Sequence, residues 1–347
     1  MAHRRHPGRS KTRVEVQRVY ASRGRGGQGR ANQEHAVDDV YVRVNSIGTT
    51  GERPFVLIPG IGVSSTYFER LAPNLNEFGP VYALDLPGFG GVPHPDTAMS
   101  IRHYADLVGL VIDELGLDDP IVVGHSMGSQ IVSDLASRRS DLSSIVLIGP
   151  VVNPAERRLL TQARHFLRAA AHEPGAVKVL AVSAYMFCGV KWFSRVLPQM
   201  MTYRIEDALP RIAAHTLVIR GEFDGVAPRD WVRRMGELLP SSRLWEMPGA
   251  AHSVMYAHAE EVARLCVEHA RETVADGDET SELHVAEVSE DADRETPLTV
   301  ADAAQSIGGR LTEAVGVITD DDELIEEGKT THAEALDSAQ RTADSAG

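Results

Sequence analysis

Residues Ile121-Val-Val-Gly-His-Ser-Met-Gly128 combine an apolar run with the pattern Gly-X-Ser-X-Gly. The run predicts a buried β-strand, and residues 130–138 predict a helix directly after the turn. Small residues two places before and after the serine let the strand and the helix approach closely around a sharp turn. Ser126 is therefore expected to stand clear of the sheet at a helix N-terminus. The alternative is a chance glycine–serine turn.

Apolar runs of similar length recur on both sides of this stretch and alternate with helical sequence. Several are continuously apolar, as is typical of strands covered by helices on both faces. The sequence thus predicts an α/β fold with a mostly parallel sheet flanked by helices. The predicted strands are 40–44, 55–58, 81–84, 121–123, 145–148, 217–219 and 243–247, and two of the predicted helices are 101–115 and 231–239.

The alternation breaks at residues 150–210, where helical sequence predicts a cap inserted into a core of residues 37–149 and 211–273. Asn153 and Pro154 are the expected N-cap and first-turn residues of its first helix. Arginines on the outer face of that helix either attract an anionic substrate or form an ordinary solvated face. Four apolar residues are predicted to line a substrate pocket, with core packing as the alternative: Met186, Phe187, Trp192 and Met255.

The net charge of -14 is concentrated at the ends of the chain. Residues 1–36 are a basic N-terminal extension, with +8 within residues 1–30, and the alternation of Val14, Val16 and Val19 also fits an irregular first strand. Residues 276–347 carry -16, which predicts an acidic linker at 274–299 and an acidic tail at 300–347. The basic run at 23–30 has no interleaved aromatic residues, so we expect no specific nucleic-acid binding.

The sequence also leads to expectations about the cellular compartment and about metal ligands. No apolar run reaches the roughly 20 residues of a bilayer-spanning helix, and no export signal follows the N-terminal arginines, so a cytoplasmic protein without a membrane span is expected. Cys188 and Cys266 fit two buried thiols in a reducing compartment. Neither the cysteines nor the histidines have a metal-ligand spacing, so no metal is predicted. The oligomeric state stays open.

A serine hydroxyl is a weak nucleophile, and it needs a base within hydrogen-bond reach and a third group that orients the base. Asp224 and His252 follow two predicted strands, and the carboxyl ends of parallel strands share one edge of a sheet with Ser126. Glu222 is a second acid in the same loop, but Asp224 lies deeper in it. His125 is a weak candidate for the base, because it is expected to point away from the turn. A turn aspartate and a helix-capping histidine are the alternatives.

Attack by Ser126 on a carbonyl carbon creates an oxyanion that needs hydrogen-bond donors. One expected donor is the backbone N–H of Met127, directly after the nucleophile. The other is expected in Pro59-Gly-Ile-Gly62, the loop after strand 55–58, with Ile61 as the donor. An ordinary glycine turn is the alternative for that loop.

Taken together, these residues resemble the α/β-hydrolase superfamily, in its cap-bearing esterase, lactonase and C–C hydrolase branch. The resemblance covers about residues 37–272 and also includes Asp85-Leu-Pro-Gly-Phe-Gly90. It implies eight strands, a cap inserted after the sixth, no cofactor, and roles for Ser126, Asp224 and His252 as nucleophile, acid and base. Two departures are Pro59, where histidine is usual, and Ser129, where a third glycine is common. Serine as nucleophile argues against dehalogenase and epoxide hydrolase relatives, which need aspartate there.

The C-terminal tail has a resemblance of its own. The segments Gly309-Arg-Leu-Thr-Glu-Ala-Val-Gly316 and 319–329 resemble the short CsbD-like stress-response family, although the first lacks the usual lysines. That family has no assigned chemistry. An acidic solubilising tail is the alternative.

The function expected from these features is a serine hydrolase acting on a small-molecule ester, lactone or related acyl bond. A C–C bond hydrolase or a cofactor-free haloperoxidase-like enzyme would use the same three residues. A non-catalytic hydrolase-fold protein that binds through its tails is the hypothesis of a different class, but such a protein has no chemical need for all three residues.

Overall fold

One sheet runs through the computed structural model, which describes residues 14–20, 40–173, 188–271 and 283–287 and isolated positions between 305 and 338. Its strands, in chain order, are β1 (Val14–Tyr20), β2 (Tyr41–Ile47), β3 (Phe55–Ile58), β4 (Val81–Asp85), β5 (Ile121–His125), β6 (Ser144–Ile148), β7 (His215–Gly221), β8 (Ser242–Met247) and β9 (Leu283–Val285).

The strands lie in the order β1-β2-β4-β3-β5-β6-β7-β8-β9. The pairs β1–β2 and β2–β4 are antiparallel, and every other neighbouring pair is parallel. The registers of the central pairs bring their carboxyl ends together, with Ile58 opposite Gly124, His125 opposite Ile148, and Ile148 opposite Ile219. Loops that follow β3, β5, β6, β7 and β8 therefore leave from one edge of the sheet, which we call the site edge.

Helices cover both faces of the sheet and explain why its strands are continuously apolar. In β3, Val56 and Ile58 face one buried cluster, whereas Phe55 and Leu57 face another. The described helices are α1 (Leu71–Leu75), α2 (Ile101–Glu114), α3 (Met127–Ala136), α4 (Leu159–His172), α5 (Val190–Thr202), α6 (Ile205–Ala208), α7 (Arg229–Leu238), α8 (Val254–Ala257) and α9 (Ala259–Arg271), with short 3-10 turns at Ser65–Phe68, Pro154–Glu156 and Leu209–Arg211.

The helices α4, α5 and α6 lie between β6 and β7 and form what we call the insertion, at the position predicted for the cap. Its start differs from the prediction. Asn153 does act as a cap, since its side-chain oxygen accepts the N–H of Ala155 at 3.1 Å, but it begins a 3-10 turn and α4 starts only at Leu159. Arg157, which precedes α4, is half-buried, and its guanidinium donates to both carboxylate oxygens of Glu206 at 2.8 and 2.6 Å.

The predicted fold class is confirmed, and the strand count is the main difference. Among the described residues the sheet has nine strands rather than eight, because β9 lies within the range predicted as an acidic linker and pairs with β8. The N–H of Ala286 donates to the carbonyl of Glu246 at 2.9 Å, and the rings of Trp245 and His284 lie 5.3 Å apart. Three strand residues within acid-rich sequence give too short an apolar pattern for prediction.

Other predictions can be placed on this fold. The irregular first strand proposed in the N-terminal extension corresponds to β1. Cys188 and Cys266 are both free and buried, as expected. The basic run at 23–30 lies outside the described residues, as do all but isolated positions of the tail at 300–347. Across the described part of the chain, no helix has the length and apolar character required to cross a bilayer.

Candidate active site

Ser126 lies at the turn between β5 and α3 in a strained backbone conformation. Its φ of 55° and ψ of -118° are sparsely populated by non-glycine residues. The turn leaves no room for larger neighbours: a Cβ on Gly124 would lie 2.4 Å from the carbonyl oxygen of Gly128, and one on Gly128 would lie 2.2 Å from that of Ile58. The backbone N–H of Ser126 donates to the carbonyl of Ile148 at 2.9 Å, which fixes the turn to β6.

Ser129 replaces the glycine that is common after this turn, and its hydroxyl has a structural role. The side chain is fully buried, and its hydroxyl donates to the carbonyl of Gly124 at 2.8 Å and lies 3.1 Å from that of Ile148. Both acceptors belong to strands at the turn. The departure therefore adds a hydrogen bond across the turn instead of loosening it.

Asp224 and His252 form a buried hydrogen-bonded pair beside this turn. The Nδ1 atom of His252 lies 2.8 Å from Oδ2 of Asp224, and the two residues are 6% and 1% exposed. The other carboxylate oxygen, Oδ1, accepts the backbone N–H groups of Val226 and Ala227 at 2.9 and 3.1 Å. The carboxylate is held on both sides, and it can fix the orientation of the imidazole.

The electrostatics of the pair favour its charged form. Burial alone would lower the pKa of His252, but the charge of Asp224 and the hydrogen bond to it outweigh burial, and the pKa of His252 is raised. Burial would likewise raise the pKa of Asp224, but the charge and hydrogen bond of His252, with the N–H of Ala227, lower it. A base placed in this way can accept a proton from a neighbouring hydroxyl and be stabilised as an imidazolium.

Glu222, the second acid of this loop, takes no part in the pair. Its side chain is exposed, and its Oε2 accepts the backbone N–H of Gly249 at 3.0 Å. Asp224 is the residue that the fold brings to His252, because its N–H bonds back to the carbonyl of Gly221 and turns the chain inward.

Gly149, directly after β6, packs against His252 and Asp224, and it was not predicted from the sequence. Its φ is +52°, and a Cβ at this position would lie 3.0 Å from both Nδ1 and Cε1 of His252 and 3.2 Å from Oδ2 of Asp224. Only glycine combines this conformation with so close an approach. Its place directly after an apolar strand at the site edge was the signal available in the sequence.

His125 packs against His252 and holds its backbone. Its buried ring lies 4.8 Å from that of His252 and 6.2 Å from that of Tyr67, and its Nε2 donates to the backbone carbonyl of His252 at 3.1 Å. Burial and the neighbouring His252 lower the pKa of His125 to about 3, so its ring is neutral. It therefore fixes the backbone of His252 rather than acting as the base.

The loop after β3, predicted to hold an oxyanion donor, packs directly on Ser126. A Cβ on Gly60 would lie 3.0 Å from Cβ and 3.5 Å from Oγ of Ser126, so the backbone of this loop is in contact range of the hydroxyl. Ile61 follows in the same loop and is 9% exposed, and Met127 is the first, fully buried residue of α3. The two predicted donors thus belong to the segments that flank Ser126 on either side.

The predicted pocket residues have different environments. Met186 and Phe187 lie outside the described residues. Trp192 is 2% exposed and its ring lies against Gly88, where a Cβ would be only 1.9 Å from its Nε1, and it stacks on His94 with 4.7 Å between ring centroids. Met255 is fully buried in the core cluster that covers one face of the sheet, the alternative considered for it.

Metal ligation has no candidate within the described part of the chain, where no three His, Cys, Asp or Glu side chains are grouped to hold an ion. The polar groups at the site edge are instead joined to one another and to backbone atoms. Their chemistry is that of a hydroxyl, an imidazole and a carboxylate.

Comparison with known proteins identifies the family of the chain. A model of the alpha/beta hydrolase family matches residues 55–265, more than half of the 347 residues, so the chain belongs to that family. It is 31% identical over 113 residues to the uncharacterized hydrolase YugF of Bacillus subtilis, a match that covers 32% of this chain and 41% of that one. It is 27% identical to a pimeloyl-[acyl-carrier protein] methyl ester esterase of Neisseria meningitidis, over 60% of this chain and 90% of that one.

A solved structure resembles the fold over a similar range. The meta-cleavage product hydrolase CumD of Pseudomonas fluorescens superposes with a TM-score of 0.56 at 23% identity, over 66% of this chain and 94% of that one. This likeness concerns the fold. The family membership makes the protein an α/β hydrolase, and its particular reaction is a matter for proposal.

Proposed function

We propose that the protein is a serine hydrolase that cleaves a carboxylic ester, a lactone or a related acyl bond through an acyl-enzyme intermediate. The observation that carries the proposal is the pairing of His252 with Asp224 beside a serine held in a strained turn. A strained serine at a helix N-terminus has no evident structural benefit, whereas it exposes a hydroxyl to a substrate. A binding protein has no chemical need for that strain or for a buried imidazole and carboxylate.

In the proposed first half-reaction, Oγ of Ser126 attacks the substrate's carbonyl carbon while His252 takes the hydroxyl proton. Asp224 holds the imidazole through Nδ1 and stabilises the imidazolium that forms. The resulting oxyanion accepts hydrogen bonds from the backbone N–H groups of Met127 and Ile61, which is the role we assign to these two residues. Collapse of this intermediate breaks the bond to the leaving alkoxide, which receives the proton from His252.

In the second half-reaction, water replaces the alcohol. His252 accepts a proton from the water, the hydroxide attacks the acyl carbon, and the bond to Ser126 breaks as its oxygen regains a proton from His252. The products are a carboxylic acid and the free enzyme. The chemistry of these residues is complete without a cofactor, and the two free cysteines fit a reducing compartment such as the cytoplasm.

We assign the insertion the role of a cap that shapes the pocket for a small-molecule substrate. Two contacts support this role: Trp192 packs on Gly88 near the site edge, and Gln130 of α3 donates to the carbonyl of Met200 at 3.0 Å. Met186 and Phe187 remain proposed pocket residues on sequence grounds alone.

The proposal is tested by labelling the protein with a fluorophosphonate probe and locating the modified residue by mass spectrometry. We expect one modified residue, Ser126, and no labelling in a folded Ser126→Ala variant, whose kcat for an ester substrate should fall by at least about 10⁴-fold. Ser194→Ala, which changes an exposed serine of α5, is the matched control and should label like the wild type. Equal labelling or turnover in Ser126→Ala would refute the mechanism, as would a folded wild type that neither labels nor hydrolyses esters.

A further inference from the structure

A carboxylate from the insertion reaches the loop that carries His252. Glu173 follows directly after α4, and its Oε1 accepts the backbone N–H of Ser253 at 2.7 Å. The side chain is only 9% exposed. Because Ser253 is the next residue after His252, this hydrogen bond ties the insertion to the backbone of the base.

The second oxygen of this carboxylate is unusual. Oε2 of Glu173 is buried, and it has no hydrogen-bond partner among the residues that the structure describes. Buried carboxylates are normally paired, since an unpaired one loses its hydration without replacement. A neutral glutamine could also accept the N–H of Ser253. The buried negative charge of Glu173 is therefore the feature that needs an explanation.

The groups around Glu173 show what that charge acts on. Burial raises the pKa of Glu173, and the negative charge of Asp224 raises it further. The N–H and the side chain of Ser253, with the charge of His252, oppose this rise without cancelling it. In return, the charge of Glu173 raises the pKa of His252. Two carboxyl groups thus act on one imidazole, Asp224 through a direct hydrogen bond and Glu173 from the insertion.

The remaining neighbours of the imidazole do not supply this charge. His125, whose ring lies 4.8 Å from that of His252, has a pKa lowered to about 3 and carries no charge near neutral pH. Arg220 acts on Asp224, whose pKa its positive charge helps to lower. Glu173 is therefore the second anionic group that acts on His252 among the described residues.

We propose that Glu173 is a positioning residue of the active site, which fixes the His252 loop through Ser253 and stabilises the His252 imidazolium with its negative charge. The inference rests on the proposed function, because the imidazolium forms when Ser126 gives up its proton. It adds a contribution from the insertion to a mechanism otherwise confined to the site edge. Opposite charge near a buried cation favours the cation, and the effect is large where water is excluded.

The decisive variant is Glu173→Gln, which keeps an oxygen to accept the N–H of Ser253 but removes the charge. Loss of the charge lowers the pKa of His252, and the neutral imidazole that acts as base then persists to lower pH. We expect the acidic limb of the kcat/KM profile to move down by about 0.5 to 1 pH unit. The kcat on the plateau should fall by roughly 3- to 10-fold, with KM changed less than about twofold.

Glu222→Gln is the matched control, since Glu222 is also a carboxylate that accepts one backbone N–H, at 3.0 Å from Gly249, but it is exposed. Its pH profile should equal that of the wild type. Glu173→Asp keeps the charge on a shorter side chain, and it should retain the wild-type acidic limb while kcat falls. A wild-type profile in a folded Glu173→Gln variant would overturn the inference.

A measurement without turnover separates this inference from the proposed function. The His252 imidazole is titrated by NMR in the wild type and in Glu173→Gln, and we expect a lower pKa in the variant. Equal pKa values would overturn the inference even in an active enzyme. Absence of Ser126-dependent hydrolysis would instead refute the proposed function, while the titration would still decide the effect of Glu173 on His252.

Discussion

The site edge and the insertion are held together in different ways. At the site edge, backbone segments approach so closely that Gly124 and Gly128 have no room for a Cβ, and side chains of the acid–histidine pair crowd Gly149. Asp224 is hydrogen-bonded through both oxygens. The described part of the insertion meets the core through side-chain contacts such as Trp192 against Gly88 and Glu173 on Ser253.

This contrast predicts different roles for the two regions. Close packing and backbone hydrogen bonds hold the proposed nucleophile, acid and base in place, and the rate of a reaction depends strongly on such positioning. Side-chain contacts of the insertion can change one at a time without displacing the turn at Ser126. We therefore expect substitutions at the site edge to reduce kcat or the stability of the fold, and substitutions in the insertion to act mainly on KM or on pH dependence.

The largest effect is expected for Asp224→Asn. The amide oxygen can still accept the N–H groups of Val226 and Ala227, so the loop should fold, but the charge that orients and stabilises His252 is lost. We expect kcat to fall by about 10⁴-fold, as in serine enzymes in which the same change selects the wrong imidazole tautomer. Steady-state ester hydrolysis at saturating substrate measures the effect.

The wild-type pH profile belongs to the same test. The proposed mechanism requires neutral His252, and Asp224 raises the pKa of His252 above the ordinary value of a histidine. Activity should therefore be lost as the pH falls through a midpoint above that value. An Asp224→Asn enzyme with more than about a tenth of the wild-type kcat would show that the site edge does not supply the orienting acid.

A smaller effect, on stability, is expected for Gly128→Ala. The added Cβ would lie 2.2 Å from the carbonyl oxygen of Ile58 and 2.8 Å from that of Pro59, and backbone atoms cannot move aside without opening the turn. We expect the free energy of unfolding to fall by about 3 kcal/mol or more, measured by denaturant titration.

Gly116→Ala separates crowding from backbone strain. Gly116 has a φ of +60° and nothing within 4 Å of its added Cβ, so only the cost of a left-handed alanine applies, about 1 kcal/mol. Gly128 lies in a helix and carries no such conformational cost, so its loss reports close approach alone. A loss in Gly128→Ala no larger than that in Gly116→Ala would mean that the turn accommodates a Cβ at little cost.

The smallest effect is expected for Trp192→Phe in the insertion. The smaller ring should leave a gap over Gly88 and weaken the stacking on His94. This change affects the proposed pocket and leaves the reacting groups in place. We expect KM to rise by roughly 3- to 10-fold with kcat changed less than twofold. Lys191→Ala, an exposed neighbour, should change neither. A large loss of kcat with unchanged KM would contradict the expectation that the insertion acts mainly on KM and the site edge on kcat.

Local patterns predicted much of the site edge. Ser126 was placed by a strand, two glycines and a helix, and the loops of Asp224 and His252 were placed by the strands before them, since parallel strands end at one edge. The choice of Asp224 over Glu222 rested on position in the loop alone, and the hydrogen bond to His252 is what distinguishes them. Gly149 and His125 were missed as supporting residues, because their contacts join segments that are distant in sequence.

The fold class, the strands of the core, the turn at Ser126 and the place of the insertion follow from local sequence. They depend on periodicity, turn residues and chain order. Folding was needed to show that β9 pairs with β8, that Asp224 and not Glu222 bonds His252, and that Glu173 reaches Ser253. Each of these contacts joins residues that are distant in sequence. It forms, and stabilises the protein, only when the folded chain brings both partners together and removes them from water.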